Sequence, residues 1–165
     1  MVSVVLSLGC NLGNRRENIE RMIRALEKVL TAPLRKSSLM ETEPVGVAGE
    51  QPYFYNQIIC AGYNDTPEKL LYECNEIELS MGRDGKKMLA PRTADIDILL
   101  YGNLSMKSES LTIPHHAIFQ RRFCLEGLNQ LVPEWIFHEN GENFGTLYCK
   151  MGDDVKNQNV KFLEK

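Results

Sequence analysis

The chain has 165 residues, 43% hydrophobic and 25% charged, with a formal net charge of −3. That length supports one domain, residues 1–165, with a substantial core, and the composition is that of a soluble globular chain. The acidic balance argues against broad nucleic-acid binding. No apolar run approaches the roughly 18 residues of a membrane span. The five cysteines are scattered and lack C-x-x-C spacing, so neither zinc nor a disulfide framework is indicated. The expectation is a cytoplasmic, monomeric protein with reduced, mostly buried thiols and no membrane or nucleic-acid partner. Met1–Leu8 is apolar but too short, and without a basic leader, to read as a signal peptide.

In chain order, Val2–Leu8 reads as a buried strand and Gly9–Asn14 as a turn, with Asn14 placed to cap a helix. Arg15–Leu30 follows as an amphipathic helix, its apolar residues Ile19, Met22, Ile23, Leu26, Val29 and Leu30 at helical spacing. Leu34–Glu41 is expected as a second strand, Glu43–Pro52 as a loop, and Phe54–Tyr63 as a third strand. Thr66 and Pro67 are a cap and first-turn proline for a second helix, with Leu70, Cys74, Ile77 and Met81 on its buried face. A polar loop, Gly82–Ala90, leads to an apolar strand that carries two aspartates. The order βαββαβ, with two helices on one face of an antiparallel sheet, is an α+β, ferredoxin-like core. Additional C-terminal elements follow it: an extended Leu111–His116, a short helix Phe123–Leu131, a Trp135 that packs on the core, and a polar 150–165 expected as a surface helix or frayed tail.

The aspartate strand carries the chemistry. Alternation puts Asp95 and Asp97 on one face and Ile96 and Ile98 on the other. Two strand rises separate the carboxylates by roughly 7 Å, a repulsion of about 2 kcal/mol at an effective dielectric near 20. A divalent cation with a taste for hard oxygen, Mg²⁺, reverses that sign. Arg92, three residues upstream, and Arg121 would neutralise phosphoryl charge beside such an ion. Phe54 and Asn56 share a strand face and together offer an aromatic plane and an amide, as a flat hydrogen-bonding heterocycle needs. Taken alone, that pair is more often plain core packing. Adjacent histidines rarely aim at one ion, so His115–His116 argues little for zinc. Gly9–Asn14 lacks the Gly-Lys-Ser/Thr ending of a P-loop and reads best as a turn that needs no ligand.

Together these residues resemble the 6-hydroxymethyl-7,8-dihydropterin pyrophosphokinase family of the folate pathway. The resemblance rests on Gly9–Asn14, Thr42–Gly46, Tyr55–Asn56, Pro91–Leu99, Leu111–His115 and Arg121–Phe123, in the family's order, and covers residues 2 to about 135. The Pro-Arg-x-x-Asp-x-Asp segment is its most specific part. It implies Mg²⁺-dependent transfer of pyrophosphate from ATP to the pterin hydroxymethyl group, with AMP as product and small molecules as the only partners. It further implies that Asp95 and Asp97 hold two Mg²⁺ ions, that Arg92 and Arg121 bind phosphate oxygens, and that Arg83 assists. Asn75, Glu78, Ile98, Thr112 and His115 match positions that hold ATP. Asn56 would read the pterin edge between Phe54 and Phe123, with Thr42 and Val45 acting mainly through backbone groups. The sequence departs from the family's usual pattern at Met88, Leu89, Ala90, Ser110, His116 and Ala117. Another Mg²⁺-dependent phosphoryl or nucleotidyl transferase, and a non-catalytic ferredoxin-like binding module, are the alternatives.

Overall fold

The computed structural model describes residues 1–46, 49–82 and 90–163. Its centre is an antiparallel sheet of β1 (Val2–Cys10), β2 (Thr31–Lys36), β3 (Met40–Thr42), β4 (Phe54–Tyr63) and β5 (Asp95–Tyr101). The strand order β3-β4-β1-β5, with β2 also on β4, is that of a split βαβ, and the α+β, ferredoxin-like expectation holds. Helices α1 (Arg15–Leu26) and α2 (Pro67–Ser80) cover one face. Both start as their sequences dictate: Asn14 Oδ1 accepts from the Glu17 N–H at 3.3 Å and Thr66 Oγ1 from the Lys69 N–H at 3.2 Å.

The opposite face is covered by a third layer. A hairpin of β6 (Met106–Lys107) and β7 (Thr112–Ile113) leads through a 3₁₀ turn, His116–Phe119, into α3 (Arg122–Leu131). Strands β8 (Ile136–Phe137) and β9 (Glu142–Asn143) and helix α4 (Phe144–Cys149) follow. Strand alternation makes the two cores. Val4, Leu6, Leu8 and Cys10 of β1 face α1 and α2, whereas Val5 packs with Ile58, Cys60, Leu99, Leu125 and Leu128 under α3. Trp135 packs, partly buried, against this second core.

Three expectations are corrected. Leu34–Glu41 is two strands, because the chain breaks at Ser37. Its N–H reaches the Ile58 carbonyl at 2.9 Å, but its hydroxyl accepts the Ile58 N–H at 3.0 Å in place of a ladder carbonyl. Helix α1 ends at Leu26, where Lys28 and Val29 switch to bonds with Ala25 and Leu26, the tighter winding usual at helix ends. The 150–165 segment, expected as a surface helix or frayed tail, forms a short helix, α5 (Asp153–Lys156), but then a strand: β10 (Val160–Phe162) extends the sheet by pairing Val160 with Thr42 and Phe162 with Met40.

Four of the five cysteines are buried and all are free. Burial pushes the Cys10 thiol up to about 12, against a smaller opposing pull from Arg15. Cys10 is therefore a core thiol, not a nucleophile.

Candidate active site

The sheet register assembles one row of side chains on the α3 face. Asp95 pairs with Gly9, which pairs with Asn56 on its other side, which in turn pairs with Met40. On one side of that row Asp97 pairs with Ser7, and on the other Phe54 pairs with Thr42. A cavity opens over this row, closed by Val45, Arg92, Arg121 and Phe123. Thr42, Val45, Phe54, Asn56, Phe123, Arg92, Arg121, Asp95 and Asp97 all line it, so nine residues spread over eighty positions of sequence meet in one place.

Gly9 makes the floor. A Cβ there would sit 2.8 Å from Asn56 Oδ1 and 3.8 Å from Asp95 Cβ. The missing side chain therefore keeps an open lane between the amide and the carboxylate. Asn56 is buried and its Nδ2 donates to Thr42 Oγ1 at 2.7 Å, which fixes the amide plane and directs Oδ1 over Gly9.

Arg92 is held by a turn the sequence reading treated as needing no ligand. Its N–H donates to Asn11 Oδ1 at 2.8 Å, and its carbonyl accepts from the N–H groups of Asn11 and Leu12. The Asn11 amide also donates to Gln51 Oε1 at 3.0 Å and to the Pro52 carbonyl at 3.3 Å. One buried asparagine thus ties the loop that carries Arg92 to the loop before Phe54. The Arg92 guanidinium lies 3.3 Å from Asp95 Oδ2 and 5.5 Å from the centre of the Phe54 ring. Its Nε is buried and finds no hydrogen-bond partner. A buried cationic donor left unmatched is costly.

Arg121 is the N-cap of α3 and makes no capping bond with its side chain. Among the described residues it forms no ion pair, and its side chain borders the same cavity. Asp95 and Asp97 are a two-carboxylate site; among the described residues no cluster of three or more His, Cys, Asp and Glu groups exists. Two carboxylates plus outside oxygens suit Mg²⁺, which seldom uses an all-protein cage. His115 and His116 stack at 4.4 Å and 28°, and His115 Nδ1 accepts the Ala117 N–H, so the pair does not converge on an ion. His115 Nε2 lies 3.9 Å from Asp97 Oδ1. Burial, then His116 and Arg121, push its imidazole down to about 4. At neutral pH the ring is therefore neutral and the contact is not an ion pair.

Of the residues matched to ATP, His115 lies beside Asp97, which lines the cavity, whereas Asn75, Glu78, Ile98 and Thr112 do not line it. Glu78 is buried on α2, where Oε1 accepts the Ile96 N–H of β5 at 2.6 Å. The Ile98 side chain is in the α1/α2 core. Asn75 is exposed on α2 and Thr112 half-buried on β7. Arg83, Met88 and Leu89 lie outside the described residues; Ala90 is half-buried and Ser110 exposed. Sequence reasoning missed Ser7, Gly9, Glu43, Gln158, Asn159 and Val160, which also line the cavity. A small residue at alternate positions of an otherwise apolar strand, Ser7 and Gly9, was the available signal for two of them. Gln158–Val160 carry no local signal.

A family model for 7,8-dihydro-6-hydroxymethylpterin-pyrophosphokinase matches residues 5–133. The chain is 34% identical over 146 residues to a folate synthesis bifunctional protein of Chlamydia caviae, covering 86% of this chain and 33% of that one. It is 39% identical over 130 residues to one of Arabidopsis thaliana, covering 78% and 27%. The chain therefore spans about a third or less of the length of these relatives. The crystal structure of wild-type Plasmodium falciparum HPPK-DHPS with pteroate shares the fold, with a TM-score of 0.72 at 16% identity, over 99% of this chain and 48% of that one.

Proposed function

This chain belongs to the 7,8-dihydro-6-hydroxymethylpterin-pyrophosphokinase family, and on that premise we propose that its cavity transfers pyrophosphate from ATP to 6-hydroxymethyl-7,8-dihydropterin in folate biosynthesis. The products are AMP and the pterin diphosphate. One observation carries the reading: two carboxylates, two arginines, and an aromatic–amide set line a single cavity over Gly9. A polyphosphate donor and a flat acceptor need those groups side by side, and a general binding module does not.

Asp95 and Asp97 hold Mg²⁺, two ions in this reading, whose chemistry is to neutralise and orient the triphosphate. Arg92 and Arg121 bind phosphate oxygens and stabilise charge at the β-phosphorus, with Arg83 assisting. Asn56 reads the pterin edge and Phe54 and Phe123 flank its ring, while Thr42 and Val45 contribute backbone groups. Asn75, Glu78, Ile98, Thr112 and His115 hold the nucleotide. Ile98 does so through its peptide groups, since its side chain is buried. The pterin hydroxyl attacks in line and AMP leaves; positioning and electrostatics carry the rate. A cytoplasmic monomer without membrane or nucleic-acid partners belongs to the same reading. Among the described residues no helix is long and apolar enough to cross a membrane.

The test is a product assay with ATP, Mg²⁺ and the hydroxymethyl dihydropterin. AMP and pterin diphosphate are expected in equal amounts. Release of ADP or free pyrophosphate would point to another transferase, and no turnover to a binding module. A second expectation concerns the ring wall: Phe123→Ala weakens pterin binding by about 1–3 kcal/mol, roughly 5- to 150-fold, the usual worth of one aromatic stacking surface. ATP affinity changes little. Calorimetry giving equal losses for both ligands would remove Phe123 from that role.

A further inference from the structure

We infer that Gln158, in the segment between α5 and β10, is the residue that positions Arg121. A helix N-cap normally supplies its own side-chain oxygen to the first free N–H groups. Arg121 occupies that position in α3 and has no oxygen to give. Gln158 does the work from 37 positions downstream. Its Oε1 accepts the Arg122 N–H at 2.9 Å, and its Nε2 donates to the Gln120 carbonyl at 2.8 Å. One planar amide therefore grips the peptide groups on both sides of Arg121, using its donor and its acceptor at once. The Arg121 side chain is left to face the cavity.

The grip is itself anchored at both ends. Arg122 Nη1 donates to the carbonyls of Lys156 and Gln158 at 2.9 and 3.3 Å, and its Nε to Glu126 Oε1 at 3.0 Å. On the other side, the Asn159 N–H donates to Glu43 Oε1 at 2.8 Å, and Val160 pairs with Thr42. The 156–160 segment thus spans the cavity from the α3 start to the strand that carries Thr42. Its place lies beyond the 5–133 stretch matched by the family model. The role assigned to Gln158 rests on the pyrophosphokinase reading, because Arg121 matters through the phosphates it binds.

Gln158→Met keeps the side-chain length and removes both hydrogen-bonding ends. Measured as AMP formation at saturating substrates, kcat is expected to fall about tenfold, since small displacements of a phosphate-binding arginine are amplified in the rate. The melting temperature should fall by only a few degrees. The decisive measurement is a cycle with Arg121→Ala: on that background Gln158→Met should cost less than about twofold, because the positioned group is already gone. Full, multiplicative losses in the double variant, or an unchanged kcat in the single one, overturn the inference. If Gln158→Met loses the fold, Gln158→Glu, which still accepts from Arg122 but cannot donate to Gln120, carries the same cycle. A wild-type chain that releases no AMP would overturn the pyrophosphokinase reading and this role with it. Wild-type turnover with an undiminished variant overturns the role of Gln158 alone.

Discussion

Asp97→Ala is expected to cut turnover by about 10³-fold or more at saturating Mg²⁺, the scale of losing a charged group that organises a transferring phosphoryl chain. Asp97 and Asp95 are two positions apart on one strand, on the same face, opposite Ser7 and Gly9. Their mutual repulsion, about 2 kcal/mol at roughly 7 Å and a dielectric near 20, opposes folding. The Arg92 guanidinium lies 3.3 Å from Asp95 Oδ2, and His115 Nε2 lies 3.9 Å from Asp97 Oδ1. The variant is expected to lose turnover whether or not its melting temperature changes. Asp97→Asn, which keeps the shape and removes the charge, should behave the same way. Turnover within a few-fold of wild type would sink the metal-holding role. A large drop in melting temperature would show the carboxylate to be structural.

Gly127→Ala is expected to be the most destabilising small substitution in the third layer. Gly127 sits in α3 where a Cβ would lie 2.1 Å from Ile58 Cγ1 and 2.6 Å from Ile58 Cβ. Ile58 is fully buried in β4 and its Cβ is fixed to the sheet, so no rotamer change clears the contact. Alanine would favour the helix by about 1 kcal/mol. Forcing α3 off the sheet costs about 1–3 kcal/mol or more, and with contacts this short the clash wins. Urea denaturation should show a lower midpoint, and turnover should fall as well, because α3 begins with the residues that follow Arg121 and contains Phe123. A midpoint at or above wild type would mean that α3 tolerates displacement, and the close packing assigned to Gly127 would be wrong.

Much of the fold was legible because it follows local rules. The Thr66–Pro67 cap, the helical spacing of Leu70, Cys74 and Ile77, and the alternation in Val2–Leu8 and Phe54–Tyr63 each depend on neighbours a few residues away. The failures have the opposite character. Ser37 breaks a strand because its hydroxyl meets Ile58, twenty-one positions on. Val160–Phe162, in an otherwise polar C-terminal stretch, becomes strand β10 because Met40–Thr42 presents an edge to pair with. Asn11 looked like one residue of a turn, yet it holds Arg92 and the loop at Gln51 together.

By itself the sequence determined the chemistry available: a carboxylate pair forced onto one face by the two-residue period of a strand, arginines beside it, and an aromatic–amide pair on a second strand. Periodicity is local, so it survives without knowledge of the fold. Only the tertiary structure decided that these groups share a cavity, that Gly9 opens its floor, and that Gln158 grips the chain on both sides of Arg121. Those outcomes depend on strand register and on which strand an edge recruits, and both are set by packing between residues far apart in the chain.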